Sequence, residues 1–257
     1  MKKFLTNLIL FLLRIRIIRS LFYYLITIKN PFFRYRLADI ILLNISENEQ
    51  KELINRIHNN YSTSYFNHFT NLKNYDDLEN FKLKNHQHLE DLVKNNQDSF
   101  FIQLGSCTGR EIIFFKEKYP SLKCISTDIN QKFLDYQEKK YGNKINYAVL
   151  DIKNINSFLK KENIIDKKKI IYINGVLNYL NVKEIEKIIL KFSEIKNTFY
   201  VLNHVVLKGV NSKDKRRLDF FDHNYSELMQ NSQLINIYEK NTKLKDLTFN
   251  HFGIYKN

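Results

Sequence analysis

Cysteine and proline are scarce in this sequence, which has two of each in 257 residues. Two cysteines, Cys107 and Cys124, cannot build the disulfide framework of a small secreted domain. Neither belongs to a C-x-x-C pair or to a Cys/His cluster, so no zinc-binding pattern is present. This cysteine usage suits a reducing compartment, and we expect a cytoplasmic protein.

Long apolar runs are also missing. The longest is Leu8–Leu13, far short of the ~20 residues that a helix needs to cross a bilayer. Arg14, Arg16 and Arg19 follow it, and each would cost about 2.5–3.5 kcal/mol in the middle of a span. No small-x-small cleavage site follows either, as a signal peptide would require. The sequence therefore disfavours both a spanning helix and a cleaved leader.

Residues 1–45 carry an excess of positive charge. The formal net charge of the chain is +14, and this segment has eight basic side chains against one acid. A basic, aromatic-rich segment of this kind is typical of helices that lie in a membrane interface, where arginine stems snorkel to the headgroups. Helices packed on the rest of the chain, or on a second copy in a homodimer, are the alternative. Peripheral contact with the inner face of the membrane and internal packing both stay open.

The remaining chain changes character near residue 99. Hydrophobic residues make up 44% of the sequence, which is enough for a core. Residues 46–98 have helical patterns: Ser46 and Glu49 form a capping-box signature, and another helix is predicted over 84–95. From 99 onward, short apolar runs alternate with helical patterns, which is typical of βαβ units. We expect a basic segment over 1–45, a helical lead-in over 46–98 and an α/β domain over 99–257.

The α/β domain is predicted to contain seven strands and several helices. The strands are expected at 100–104, 122–127, 145–150, 169–173, 198–206, 234–239 and 248–255. Helices are expected at 110–118, 130–141 and 225–231. A further helix begins after Asn181, which forms a second capping box with Glu184.

Glycine is rare, with six in the chain, and two of them bracket the turn after the first predicted strand, Gly105-Ser106-Cys107-Thr108-Gly109. The spelling fits the G-x-C-x-G nucleophile elbow of hydrolases. However, that elbow follows several strands, and nothing before Phe100 is predicted as a strand. Arg110 and Glu111 follow Gly109, which excludes a Walker A loop, and the glycine spacing of a dinucleotide fingerprint is absent. The sequence favours a turn where a ligand lies against bare backbone.

Acidic residues follow the next two predicted strands. Asp128 comes after the second strand, where a carboxylate can accept both hydroxyl hydrogens of a ribose. Asp151 comes after the third strand, where a carboxylate or its backbone can meet an adenine edge. Ile129 and Ile152 stand beside these acids and could flank the ring.

This combination of motifs resembles the class I S-adenosylmethionine-dependent methyltransferases over roughly residues 98–257. The matching segments are "IQLGSCTG", "STDIN", "VLDI" and "IIYINGVLNYL". The resemblance implies a Rossmann-like, mostly parallel sheet of seven strands with an antiparallel C-terminal strand and helices on both faces. It also implies S-adenosylmethionine as the cofactor. The residues expected at the cofactor are Gln103, Gly105, Ser106, Cys107, Thr108, Gly109, Asp128, Ile129, Asp151, Ile152, Asn174, Gly175 and Val176.

Two positions depart from the family pattern. Gln103 stands where the family usually has an acid that helps to hold the methionine amino group, and Cys107 stands where it usually has glycine. We interpret Cys107 as a small residue beside the cofactor rather than as a nucleophile.

Methylation of an alcohol needs a base near the operating pH, most often histidine. His204, near the end of the fifth strand, and His223 are the candidates, with His223 slightly ahead. Asn178 and Tyr179 are expected to contact the acceptor. The segment "FFDHNYSELM" also resembles a stretch of sugar O-methyltransferases.

The leading hypothesis is therefore O-methylation of a sugar, a glycan or a lipid-linked small-molecule acceptor at the membrane face. Enzymes of the resembled fold that methylate an amino group of a nucleic-acid base typically have Asn/Asp-Pro-Pro-aromatic after the fourth strand, whereas no proline follows Asn174 here. The resemblance therefore argues against base methylation and makes nucleic acid a less favoured partner. An RNA ribose methyltransferase remains an alternative. A catalytically inactive binding or scaffold module with the same fold is the other.

Overall fold

The computed structural model describes residues 87–207, 221, 223–243 and 248–257, together with the positions 4, 8, 11, 46–48, 50 and 51. Most of the predicted basic segment and of the helical lead-in lies outside these residues, so the division into three parts stays a prediction. Residues 47, 48, 50 and 51 are helical, and the Gln50 N–H donates to the Ser46 carbonyl (N···O 2.9 Å). A helix therefore begins after Ser46 as predicted, whereas Glu49 of the capping box is outside the described residues.

Seven strands form one sheet. They are β1 (Phe100–Leu104), β2 (Lys123–Asp128), β3 (Asn146–Val149), β4 (Lys169–Asn174), β5 (Thr198–Leu207), β6 (Ile235–Lys243) and β7 (Thr248–Lys256). Their order across the sheet is β3-β2-β1-β4-β5-β7-β6. Strands β1 to β5 pair in parallel, and β7 runs antiparallel between β5 and β6. The predicted Rossmann-like sheet with an antiparallel C-terminal strand is confirmed.

Six α-helices of the described residues connect or flank these strands. They are α1 (Gln87–Lys94), α2 (Arg110–Lys118), α3 (Gln131–Tyr141), α4 (Ile155–Lys161), α5 (Val182–Glu194) and α6 (Tyr225–Gln230). Short 3₁₀ turns lie at Gly142–Lys144, Ile152–Asn154 and Leu177–Tyr179. Helix α4 was not predicted, because it has only seven residues and no long apolar stripe. Among the described residues, no helix combines the length and the apolar character that a membrane crossing requires.

Side chains point alternately to the two faces of the sheet along each strand, and this divides the core into two layers. Ile102 of β1 packs with α4, α5 and α6 on one face, while its neighbour Phe101 packs with α1 and α2 on the other. The predicted capping box of α5 is present: Asn181 Oδ1 accepts from the Glu184 N–H, and the Glu184 carboxylate accepts from the Asn181 N–H (both 2.9 Å). The two layers hold the carboxyl ends of β1, β2 and β4 along one edge of the sheet, where the predicted site residues lie.

Candidate active site at the carboxyl edge of the sheet

The turn after β1 has a backbone that only glycine adopts readily. Gly105, Cys107 and Gly109 have φ values of 68°, 54° and 76°, all in the left-handed region. A Cβ on Gly105 would lie 2.3 Å from Val176 Cγ2, and one on Gly109 would lie 2.4 Å from Gln137 Oε1. Both glycines are therefore required by backbone conformation and by close packing inside the protein.

Gln137 of α3 holds this turn from behind, and the sequence analysis missed it. Its side chain is fully buried. Nε2 donates to Ser106 Oγ (2.9 Å) and to the Cys107 carbonyl (2.7 Å), while Oε1 accepts from Ser126 Oγ (2.6 Å). The only signal in the sequence was its place on the buried face of α3, four residues after Phe133. Ser106 and Thr108 are themselves 1% exposed, so they belong to the scaffold of the turn.

Asp128, at the end of β2, is tied to the same turn. Its carboxylate oxygens accept from the Cys107 N–H (3.0 Å) and the Asn130 N–H (2.9 Å). Burial raises the pKa of this carboxyl, and the backbone N–H donors act against that rise. A carboxylate has about four lone-pair sites, so two backbone bonds leave acceptor capacity. The structure thus brings the glycine turn and the acid at the end of β2 into direct contact.

The two isoleucines predicted to flank a ring are in different environments. Ile129 is 70% exposed, although it directly follows a buried strand, whereas Ile152 is 5% exposed and packs in the core. Asp151 Oδ1 accepts from the Lys153 N–H (3.0 Å) and so caps a 3₁₀ turn. The register of β2 and β3 brings Asp151 to the same edge as Asp128.

The segment after β4 is fixed by amide side chains. Asn174 Oδ1 accepts from Asn203 Nδ2 (3.2 Å), and Asn203 Oδ1 accepts from Asn250 Nδ2 (2.8 Å). The Gly175 N–H donates to the Asn203 carbonyl (2.9 Å). Gly175 has a φ of 73°, and a Cβ there would meet no atom of the described residues within 4 Å. No other described residue therefore covers the backbone at Gly175 on the side where a Cβ would lie.

Asn178 and Tyr179, the predicted acceptor contacts, are held by long-range bonds. Asn178 is 4% exposed, and its Oδ1 accepts from the Tyr225 hydroxyl (2.6 Å). The carbonyl of Tyr179 accepts from Lys51 Nζ (2.8 Å), and this lysine also pairs with Glu184 (2.8 Å). The piece of helix after Ser46 thus contacts the loop that follows β4.

Glu184 receives a second cation, Lys153 (2.8 Å). Burial opposes ionisation of Glu184, but the hydrogen bonds from Lys153 and Lys51 outweigh it and lower the pKa to about 2. The carboxylate therefore stays charged at neutral pH and anchors both lysines.

Three buried histidines surround Tyr225. The rings of His204 and His251 stack on it, with centroids at 4.4 Å and 5.5 Å, and His223 meets its edge at 5.6 Å. Each histidine is at most 3% exposed. His223 Nε2 lies 2.8 Å from the Leu180 carbonyl. A carbonyl only accepts, so Nε2 carries the proton and Nδ1 of the neutral ring presents its lone pair. Among the described residues, Nδ1 has no hydrogen-bond partner.

Desolvation keeps these rings neutral. Burial lowers the pKa of His223 to about 4, although the bond to Leu180 opposes the fall. Burial lowers the pKa of His204 well below 6.5, and the neighbouring His251 and His223 lower it further. Both predicted base candidates are therefore in the deprotonated form at neutral pH. Their catalytic role stays a prediction.

Replacing Cys107 with glycine is expected to raise the free energy of unfolding by up to about 1 kcal/mol. A non-glycine residue in the left-handed region is destabilised by roughly 1–2 kcal/mol, and part of that gain is offset because glycine has more freedom in the unfolded chain. Urea unfolding of wild type and Cys107→Gly measures the difference. The buried Cys124→Ala is the control and should lose stability. A destabilised Cys107→Gly protein would show that the thiol contributes packing that outweighs the backbone strain.

Comparison with known proteins places the fold. No protein-family model and no curated protein matches this sequence. Among solved structures, the PH0226 protein of Pyrococcus horikoshii superposes with a TM-score of 0.51 at 10% identity, over 74% of this chain and 97% of that one. At such identity the likeness shows the fold alone.

Two further solved structures are methyltransferases. A S-adenosylmethionine-dependent methyltransferase from Anabaena variabilis has a TM-score of 0.46 at 13% identity, covering 67% of this chain and 84% of its own. The magnesium protoporphyrin IX methyltransferase of Synechocystis was solved with bound S-adenosylmethionine. It has a TM-score of 0.49 at 11% identity, over 76% of this chain and 97% of that one.

Proposed function

We propose that this protein is an S-adenosylmethionine-dependent methyltransferase. The observation that carries the proposal is the contact between the Asp128 carboxylate and the Cys107 N–H, which joins the glycine turn after β1 to the acid after β2. Both lie at the carboxyl edge of parallel strands, where ligands of such folds bind. The remaining acceptor capacity of the Asp128 carboxylate supports a role in accepting ribose hydroxyls, and the exposed Ile129 beside it supports an apolar contact with the adenine ring.

The carboxylate of Glu111 favours this cofactor over a phosphate-bearing one, whereas Arg110 beside it carries the opposite charge. Glu111 lies in the first turn of α2, where a pyrophosphate would otherwise be stabilised by the helix N-terminus. A carboxylate at that place repels phosphate and attracts cations. S-adenosylmethionine carries no phosphate, and its sulfonium and ammonium groups are both positive.

Transfer of the methyl group to an alcohol requires alignment and a base. Alignment of nucleophile, methyl carbon and sulfur is the main contribution that a protein makes to such a displacement. Gly105, Gly175 and Val176 are proposed to lie against the cofactor, with Asn178 and Tyr179 on the acceptor side. His223 is proposed as the base, ahead of His204, because its tautomer is fixed by Leu180 and its Nδ1 lone pair has no partner in the part of the chain that the structure describes.

The second part of the proposal concerns the acceptor, the molecule that receives the methyl group. A hydroxyl of a sugar, a glycan or a lipid-linked molecule is supported by a candidate base, His223, and by the basic composition of residues 1–45. An acceptor at the membrane face would be reached by a protein that lies on the same surface. The segment around His223 also resembles sugar O-methyltransferases.

Thermal unfolding with ligands tests the cofactor. S-adenosylhomocysteine at about 100 times its Kd should add about 2.7 kcal/mol to the free energy of unfolding, which corresponds to a rise in Tm of roughly 5–10 °C. NAD⁺ and ATP at the same concentration should cause no comparable rise. An unchanged Tm with millimolar S-adenosylhomocysteine would contradict the cofactor and favour an inactive scaffold.

Radiolabelled S-adenosylmethionine then tests the acceptor in the same preparation. Methyl label in alkali-stable glycan or lipid-linked material supports O-methylation of such an acceptor. Label that enters only RNA would replace that part of the proposal with the ribose methyltransferase.

A further inference from the structure

The side-chain oxygen of Gln103 is buried, and no described residue donates a hydrogen bond to it. The residue is 1% exposed and lies on β1, two positions before Gly105. Its Nε2 donates to Glu111 Oε2 (3.3 Å), while Oε1 has no partner among the described residues. A buried polar atom that stays unpaired destabilises a protein, and most such atoms have a partner. The Gln103 oxygen therefore indicates that a donor belongs at this place.

A carboxylate stands directly beside that oxygen. Glu111 extends from the first turn of α2 over the same face of the sheet, and only 13% of its side chain is exposed. Its other oxygen, Oε1, lies 3.4 Å from the Arg110 guanidinium, a long contact that leaves most of the acceptor capacity unused. Burial raises the pKa of the nearby Tyr172 phenol, and the charge of Glu111 raises it further, so the carboxylate is close to β4 as well as to β1.

We propose that Glu111 and Gln103 together bind the α-ammonium group of the methionine part of S-adenosylmethionine. Glu111 supplies the negative charge, and Gln103 Oε1 supplies a neutral acceptor. Gln103 alone has no charge with which to bind the ammonium group. The inference rests on the proposed function. It assigns the charge to a helix residue eight positions further along the chain rather than to the strand.

An ammonium group matches this pair better than water or a metal ion. It presents three donors from one atom, enough for the Gln103 oxygen and for the Glu111 carboxylate. A hydrogen bond between charged groups in a poorly hydrated place is about twice as strong as a neutral one. One carboxylate and one amide oxygen are too few ligands for a hard cation, which takes six or more oxygens.

Two ligands that differ in the amino-acid part test the inference. S-adenosylhomocysteine carries the ammonium group, whereas 5′-methylthioadenosine has the same nucleoside without it. In titration calorimetry with the full chain, Glu111→Gln should weaken S-adenosylhomocysteine binding roughly 10- to 100-fold and leave 5′-methylthioadenosine within about twofold of wild type. Glu117→Gln, an exposed carboxyl on the same helix, is the matched control and should change neither.

A charge exchange separates binding from a structural role. The double variant Gln103→Glu/Glu111→Gln keeps one acid and one amide in the pair, and it should recover S-adenosylhomocysteine binding to within roughly threefold of wild type. Gln103→Leu, which removes the neutral acceptor, should show the same ligand selectivity as Glu111→Gln in a weaker form. These results remain informative if one single variant is poorly folded.

An equal loss of affinity for both ligands in Glu111→Gln, or an unchanged affinity for S-adenosylhomocysteine, would overturn this inference. The proposal that the protein binds S-adenosylmethionine would still stand. Failure of wild type to bind either ligand would instead overturn the proposed function, and the inference with it.

Discussion

Asp128→Asn is expected to weaken S-adenosylhomocysteine binding by at least about 100-fold, since it removes a charged acceptor for two ribose hydroxyls. The same change should lower the free energy of unfolding by about 2 kcal/mol. The effect on binding is the larger of the two because it has two sources. The ribose loses its acceptor, and the glycine turn loses the carboxylate to which it is tied.

The geometry around Asp128 explains the loss of stability. Both carboxylate oxygens accept backbone N–H groups, from Cys107 at 3.0 Å and from Asn130 at 2.9 Å. Asparagine has one oxygen and one NH₂ group, so one of the two backbone donors would face another donor. A buried N–H left unpaired costs about 1–3 kcal/mol. Asparagine has nearly the same shape as aspartate, but it cannot accept from both backbone donors, so the loss of stability remains.

Titration calorimetry and urea unfolding of the same samples check both parts. Asp135→Asn is the control, because Asp135 is exposed on α3 and bonds only to Gln131 in the described contacts. It should change neither binding nor stability. Binding by Asp128→Asn within about threefold of wild type would place the ribose elsewhere, even if the protein were less stable.

Local pattern was sufficient for the scaffold of the site and insufficient for its supporting contacts. The strands at 100–104, 169–173 and 198–206 were predicted within one residue, because apolar runs that are bounded by polar residues and alternate with helices have few other solutions. The glycine turn and Asp128 were predicted because both lie at strand ends. Parallel strands bring their ends together at one edge, so sequence position alone indicated their neighbourhood.

Contacts between distant residues were not predictable in this way. Gln137 bonds to Ser106 across 31 positions of the chain, and Tyr225 bonds to Asn178 across 47. Neither pair has a periodicity that marks it, because their meeting depends on how α3 and α6 pack on the sheet. The same holds for Glu111 and Gln103, which are brought together by the turn between β1 and α2. The family pattern has an acid where this chain has Gln103, and the carboxylate that we propose in its place, Glu111, lies on α2.

Acidification is expected to destabilise the protein steeply between about pH 6.5 and pH 4, because the three buried histidines around Tyr225 are neutral in the fold. His223 has a pKa of about 4 in the folded protein, against 6.5 for an ordinary histidine. Between these values the unfolded chain binds a proton that the folded chain does not. The free energy of unfolding therefore rises with pH through this window and is unaffected by His223 above it.

The magnitude follows from linkage. Each histidine contributes a slope of about 1.4 kcal/mol per pH unit inside its window, and His223 alone accounts for about 3 kcal/mol at pH 4. His204 and His251 act in the same direction because burial lowers both pKa values, although the charge of Glu239 raises that of His251 and reduces its share. Asp128 acts in the opposite direction, since burial raises the pKa of its carboxyl, and it partly offsets the histidines near pH 4.

Urea unfolding at half-unit steps from pH 7.5 to pH 4.5 measures the slope. For His223→Asn, the slope of the unfolding free energy against pH should be smaller than in wild type by about one proton, that is by about 1.4 kcal/mol per pH unit. This should hold whatever the stability of the variant at pH 7.5. His88→Gln, an exposed histidine on α1, is the control and should follow the wild-type curve. The same slope in wild type and His223→Asn would show that His223 titrates with the same pKa in the folded and unfolded protein. The conclusion that burial keeps its ring neutral through this window would then be wrong.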